Sequence, residues 1–237
     1  LLSALFYILL GVFDAIASVT LVLKLYMLPL WEYRKKILIY AIVIAIFSYL
    51  MRVIIGMPKL DLPLQYIFMI LFFRFGLGMK THLAAFSTGA GLTAYINLQL
   101  FVFLFANFFG IAQPEVIQDT DGLPIYSIQL ISIVVVYLIS FVISKYNFGF
   151  SFIVQPPHDF LRVENYFSSL NKLLIFGALI SATTISITLY MLYNANAIGL
   201  LSLSLLTFGI SYFFSEKGEN EDARSTLQTY RGRNKES

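Results

Sequence analysis

Of the 237 residues, 59% are hydrophobic and 12% charged, and the apolar residues fall in runs too long for a soluble core, which implies an all-α, multi-pass membrane protein. Cysteine is absent, so disulfides, thiolate metal sites and cysteine nucleophiles are excluded. The net charge of +3 is small and its basic residues lie beside apolar segments instead of forming a groove, which argues against nucleic acid as a partner.

The apolar runs predict seven spans at about 2–23, 37–55, 64–79, 83–111, 125–144, 173–193 and 198–214, each near the roughly 20 residues that about 30 Å of hydrocarbon requires. The first lacks a basic n-region and a small-residue cleavage site, so it is expected to be a retained span. It carries Asp14 near its middle. The second follows "LWEYRKKI" at 30–37 and ends near Arg52. The third, 64–79, is interrupted by Arg74; a re-entrant or interfacial element is the alternative there, which would leave six spans. Pro58, Pro63, Pro114 and Pro124 are expected in outer loops, together with the acidic Asp61, Glu115, Asp119 and Asp121.

The fourth span, "AAFSTGAGLTAYINLQLFVFLFANFF", offers Ser87, Gly89, Gly91 and Ala94 for close helix contact. Asn97 and Gln99 lie further along it. Beyond the fifth span come "YNFGFSFIVQPPHDF" at 146–160 and, overlapping it, "GFSFIVQPPHDFLRVENY" at 149–166, the most polar stretch between two apolar segments. Asp159 is placed to cap a short helix, and Phe160, Val163, Tyr166, Phe167 and Leu170 recur at helical spacing, predicting an amphipathic helix over 159–171 at the inner interface. His158 belongs to this structural reading, because a phospho-accepting histidine needs an ATP-binding domain as donor. His82, beside Lys80, is expected at an interface as well. Residues 215–237 are polar and predict a disordered tail, leaving 1–214 as the transmembrane domain.

Basic residues near span ends mark the cytoplasmic side. With the N-terminus outside and the C-terminus inside, fourteen of the sixteen Lys and Arg face inward, and Arg52 and Lys59 are the exceptions. Removing the third span would spoil that sorting.

Ionisable groups in hydrocarbon cost free energy and are usually paired or functional. A rise of ~1.5 Å per residue brings Asp14 and the long Arg52 side chain within reach of each other, making them a candidate ion pair. The alternative is that Arg52 snorkels to the outer headgroups while Asp14 is held neutral or by a hydroxyl. Asn97, Gln99, Asn107 and Gln129 are a candidate pocket lining with aromatic walls, suited to an apolar peptide or amphiphile. Helix packing explains the same residues without a ligand.

The stretches at 30–37 and 146–160 resemble an uncharacterised group of Gram-positive multi-span membrane proteins. These are similar in layout to the membrane-sensor region of accessory-gene-regulator receptor kinases, which bind cyclic peptide signals. The resemblance implies a signalling, receptor-like protein of the bacterial plasma membrane. The chain departs from those kinases after residue 215, where no dimerisation helix, phospho-acceptor box or ATP-binding domain follows, and no functional residue carries over.

Three function classes follow: a receptor-like or accessory module that binds a peptide or lipid-like ligand and acts through a partner; the substrate-binding component of a multi-part importer; and a structural subunit of a membrane assembly. Catalysis is not expected, because no acid pair, nucleophile with base, or metal-ligand cluster lies at common depth. No cofactor is expected. The expected partners are the lipid bilayer and either further copies of this chain or another membrane protein.

Overall fold

The computed structural model describes residues 2–111, 122–153, 167–193 and 197–233. Seven helices follow in order: α1 Leu2–Leu25, α2 Leu30–Tyr49, α3 Pro58–Leu71, α4 Thr81–Phe108, α5 Leu123–Tyr146, α6 Ser169–Tyr193 and α7 Ala197–Arg233. Wide π turns extend α2 over Leu50–Ile54 and α3 over Phe72–Gly76. The described residues contain no strand, as membrane depth demands of a chain that does not close a barrel. Six of the helices are long and apolar enough to cross a membrane, α3 being the exception. Their outer faces carry exposed Leu, Ile, Val and Phe, the surface of a membrane-embedded protein.

Helix α4 occupies the centre. It packs against α1, α3, α5, α6 and α7, while α2 joins the bundle through α1 and α3. An unbroken run from Ser87 to Asn97 is buried, the pattern of a helix surrounded on all sides. Lipid is as apolar as leucine, so close backbone approach has to supply much of the attraction. A Cβ on Gly91 would lie 2.1 Å from Val22 Cγ2 of α1, and one on Gly89 2.5 Å from Ser181 Cβ of α6. Side chains larger than hydrogen do not fit at either crossing.

Helix α3 starts earlier than the apolar pattern predicts. Pro58 stands at its first turn, where a missing N–H costs nothing, and Pro63 lies inside it, so neither proline marks a loop. The helix then runs antiparallel beside α2: Asp61 meets Arg52, Phe68 packs on Phe47 at 4.8 Å, Phe72 stacks on Tyr40 at 4.6 Å, and Gly76 O accepts from Lys36 Nζ at 2.6 Å. Helix α2 likewise begins at Leu30, seven residues before the predicted span at 37, because Trp31, Glu32, Tyr33 and the basic residues after them continue the helix beyond the apolar run.

At the other end of the bundle, α7 does not stop at Phe214. It continues to Arg233, so the segment expected to be disordered is helical over 215–233, consistent with the Glu, Lys, Ala, Leu, Gln and Arg it contains. Its start is clamped. The Glu219 carboxylate accepts from Ser151 N–H at 2.7 Å, Ser151 Oγ at 2.5 Å and Phe152 N–H at 3.0 Å. Tyr26, in the α1–α2 turn, shares a 3.2 Å hydrogen bond with Ser215, and burial raises its pKa, keeping the hydroxyl neutral. Phe150 N–H donates to Leu25 O at 2.7 Å.

Of the predicted interfacial helix, His158, Asp159, Phe160, Val163 and Tyr166 lie outside the described residues. Phe167 is exposed with Lys172 over its ring at 5.7 Å. Leu170 belongs to α6, whose first turn is capped by Ser168 Oγ accepting from Asn171 N–H at 3.2 Å. His82 is buried against protein in the first turn of α4.

Candidate functional site

A cavity of about 270 Å³ lies chiefly among α1, α2, α3, α4 and α5, with Thr188 of α6 and Leu200 of α7 completing its lining. It reaches from Asp14 and Ser18 in the middle of α1 to Tyr7, Arg52 and Tyr126 at the helix ends. Its apolar walls include Ile44, Met69, Leu92, Ile96 and Leu100, and four tyrosines and Phe103 supply aromatic faces. Among the described residues, the charged side chains lining it are Asp14 and Arg52.

These two do not pair with each other. Arg52 Nε donates to Asp61 Oδ2 in the ion pair found among the described residues. The same oxygen accepts from Ser48 Oγ at 2.8 Å and Gln65 Nε2 at 2.9 Å. Asp61 is therefore no loop residue: it is fully buried, whereas the Arg52 side chain is 34% exposed. Helical spacing explains the cluster, since Ser48 and Arg52 are four apart on α2 and Asp61 and Gln65 four apart on α3, each pair on one face. The i, i+4 spacing of Asp61 and Gln65 was visible in the sequence. The Pro58 and Pro63 flanks concealed it.

Asp14 takes the other arrangement that the sequence allows, held by a hydroxyl. Tyr95 of α4 donates to its Oδ1, and Gln99 Nε2 of the same helix approaches that oxygen at 3.5 Å, while Gln129 of α5 lines the same cavity. Helix α4 thus holds the acid of α1 through neutral donors. Tyr95 was not singled out by its residue type, because aromatic residues are frequent throughout the chain.

The four predicted pocket residues separate. Gln99 and Gln129 line the cavity. Asn97 is buried on another face of α4, where its Oδ1 accepts from Ser204 Oγ of α7. A separation of two residues turns a helix by roughly 200°, so Asn97 and Gln99 cannot share a face. Asn107, near the end of α4, is half-buried away from the cavity lining.

No metal-holding group of three or more His, Asp or Glu occurs among the described residues. No family model, no curated protein and no solved structure matches this chain. The arrangement is suited to holding a small amphipathic molecule: apolar and aromatic walls to bury its body, and a few convergent polar groups to orient it.

Proposed function

We propose that the chain is a non-catalytic, receptor-like protein of the plasma membrane that takes a small ligand into the cavity beside Asp14 and acts through a partner on its inner side. The cavity carries this reading. Its volume falls just below the roughly 300–1,000 Å³ of pockets for drug-sized ligands. It therefore suits a compact amphiphile, or the terminal group of a lipid-like molecule or peptide, and not a whole cyclic peptide.

The proposed topology has seven spans, the N-terminus outside and the C-terminus inside. Support for a seventh crossing comes from α3 and its π turn, which follow α2 from Arg52 back to Lys36 and so match most of a span that is itself long enough to cross. Support for the orientation comes from the distribution of Lys and Arg. The output would be α7, which leaves the bundle as a continuous helix fixed at Ser215 and Glu219. The partner would be a second copy or another membrane protein.

Isolation in lipid nanodiscs followed by native mass spectrometry tests the reading. A small molecule should accompany the protein and be lost from Ala15→Phe, which fills the cavity. Recovery of nothing bound, together with an unaided substrate turnover, would count against it. A substrate-binding importer subunit is the second reading, favoured by the cavity's depth at the middle of α1. Ligand uptake into proteoliposomes would distinguish it from a receptor.

A further inference from the structure

We infer that the ligand of this cavity is an organic cation, an ammonium group on a small apolar body, with Asp14 as its counter-charge. The inference rests on the reading of the cavity as a ligand site and adds its chemical class. Charge balance is the first argument. Asp14 and Arg52 are the charged side chains lining the cavity among the described residues, but the positive charge of Arg52 is already matched by Asp61, which is fully buried against it. Two carboxylates, Asp14 and Asp61, thus share the field of one guanidinium, and the one that Arg52 does not touch, Asp14, faces the cavity.

The surroundings of that carboxylate point the same way. Its hydrogen-bond partners Tyr95 and Gln99 are neutral donors; they orient it without cancelling its charge. A carboxylate with no ion-pair contact at membrane depth is costly, and a cationic ligand group is the addition that offsets the cost. The third argument is the aromatic lining. Tyr7, Tyr40, Tyr95, Tyr126 and Phe103 present rings to the cavity, and ring faces attract cations while the same rings bury an apolar body. A bare metal ion fits poorly, because hard cations need about six oxygen ligands and no group of three acids or histidines exists among the described residues.

The test uses the full chain in nanodiscs and three probes of matched shape: phenethylammonium, the neutral phenethyl alcohol, and the anionic 3-phenylpropionate, with sodium chloride as a fourth arm. Calorimetric titration should show the ammonium binding at least about tenfold tighter than the alcohol, as a charge-assisted contact implies. Asp14→Asn should abolish that preference, and Asp14→Glu, if it folds to the same monodisperse species, should keep it. Stronger binding of the anion, binding of sodium in place of the ammonium, or an unchanged preference in Asp14→Asn overturns the inference. Equal binding of all three organic probes, lost in Ala15→Phe, overturns the charge inference while leaving a ligand cavity. Absence of binding by every probe overturns both.

Discussion

The Arg52–Asp61 pair makes an asymmetric prediction. Breaking a buried ion pair costs about 3–5 kcal/mol when the abandoned charge stays buried. Here the two charges differ in their escape. Asp61 is 0% exposed and Arg52 34% exposed, so an abandoned arginine can extend toward headgroups or water while an abandoned aspartate cannot. Arg52→Gln should therefore be the costlier change, about 3 kcal/mol, leaving Asp61 with Ser48 and Gln65 as donors. Asp61→Asn keeps an acceptor oxygen for all three donors and should cost about 1 kcal/mol. Reversible unfolding in mixed micelles measures both, and the double variant gives a coupling of about 1–2 kcal/mol. The parallel cycle of Arg52→Gln with Asp14→Asn should give less than about 0.5 kcal/mol. A larger coupling to Asp14 than to Asp61, or a costlier Asp61→Asn, would refute this account of the site.

The absence of native cysteine permits a direct topology measurement: Lys59→Cys should react with an impermeant thiol reagent on intact cells, and Thr81→Cys and Asn220→Cys should not. Equal labelling at 59 and 81 would mean that α3 does not cross. Gly91→Ala should destabilise by about 1–3 kcal/mol through overpacking against Val22, with partial rescue by Val22→Ala; an additive double variant would place the strain elsewhere. Glu219→Ala should speed hydrogen exchange at the Ser151 and Phe152 amides by about tenfold or more with little loss of global stability, and unchanged exchange would remove the clamp.

The sequence discloses this architecture where bilayer thickness imposes it. Long apolar runs locate six of the helices to within a few residues, except where Leu30–Lys36 and 215–233 add polar turns that hydropathy does not count. Helix α3 was harder to read: Asp61 and Arg74 dilute its apolar character, and the partners that hold them, Arg52 and Ser48 on the α2 side for Asp61 and the Met79 carbonyl in the following turn for Arg74, are revealed by no local pattern. The candidate site was half legible for a related reason. Depth can be counted along a helix, which brought Asp14 within reach of Arg52 and grouped Gln99 with Gln129, but that both sets line one cavity shows only in the packed bundle. Facing cannot be counted across helices, so the choice of Asp61 over Asp14 as the partner of Arg52 required the packed bundle. Asn97 could have been set apart from Gln99 by helix periodicity alone.

The unbroken course of α7 gives the protein a lever arm. Residues 215–233 extend about 28 Å beyond Phe214 at the helical rise, and the fulcrum is where Tyr26 and the Ser151 backbone grip Ser215 and Glu219. A tilt of about 5° there displaces the far end by about 2.5 Å over that length, comparable with the helix shifts that move switching proteins between states. Ser204, seated on Asn97 two residues from Gln99, lies on the same helix above the fulcrum. An adjustment of α4 that reached Ser204, about 16 Å above Ser215 along the helix, would arrive at the far end of α7 at roughly one to two times its size.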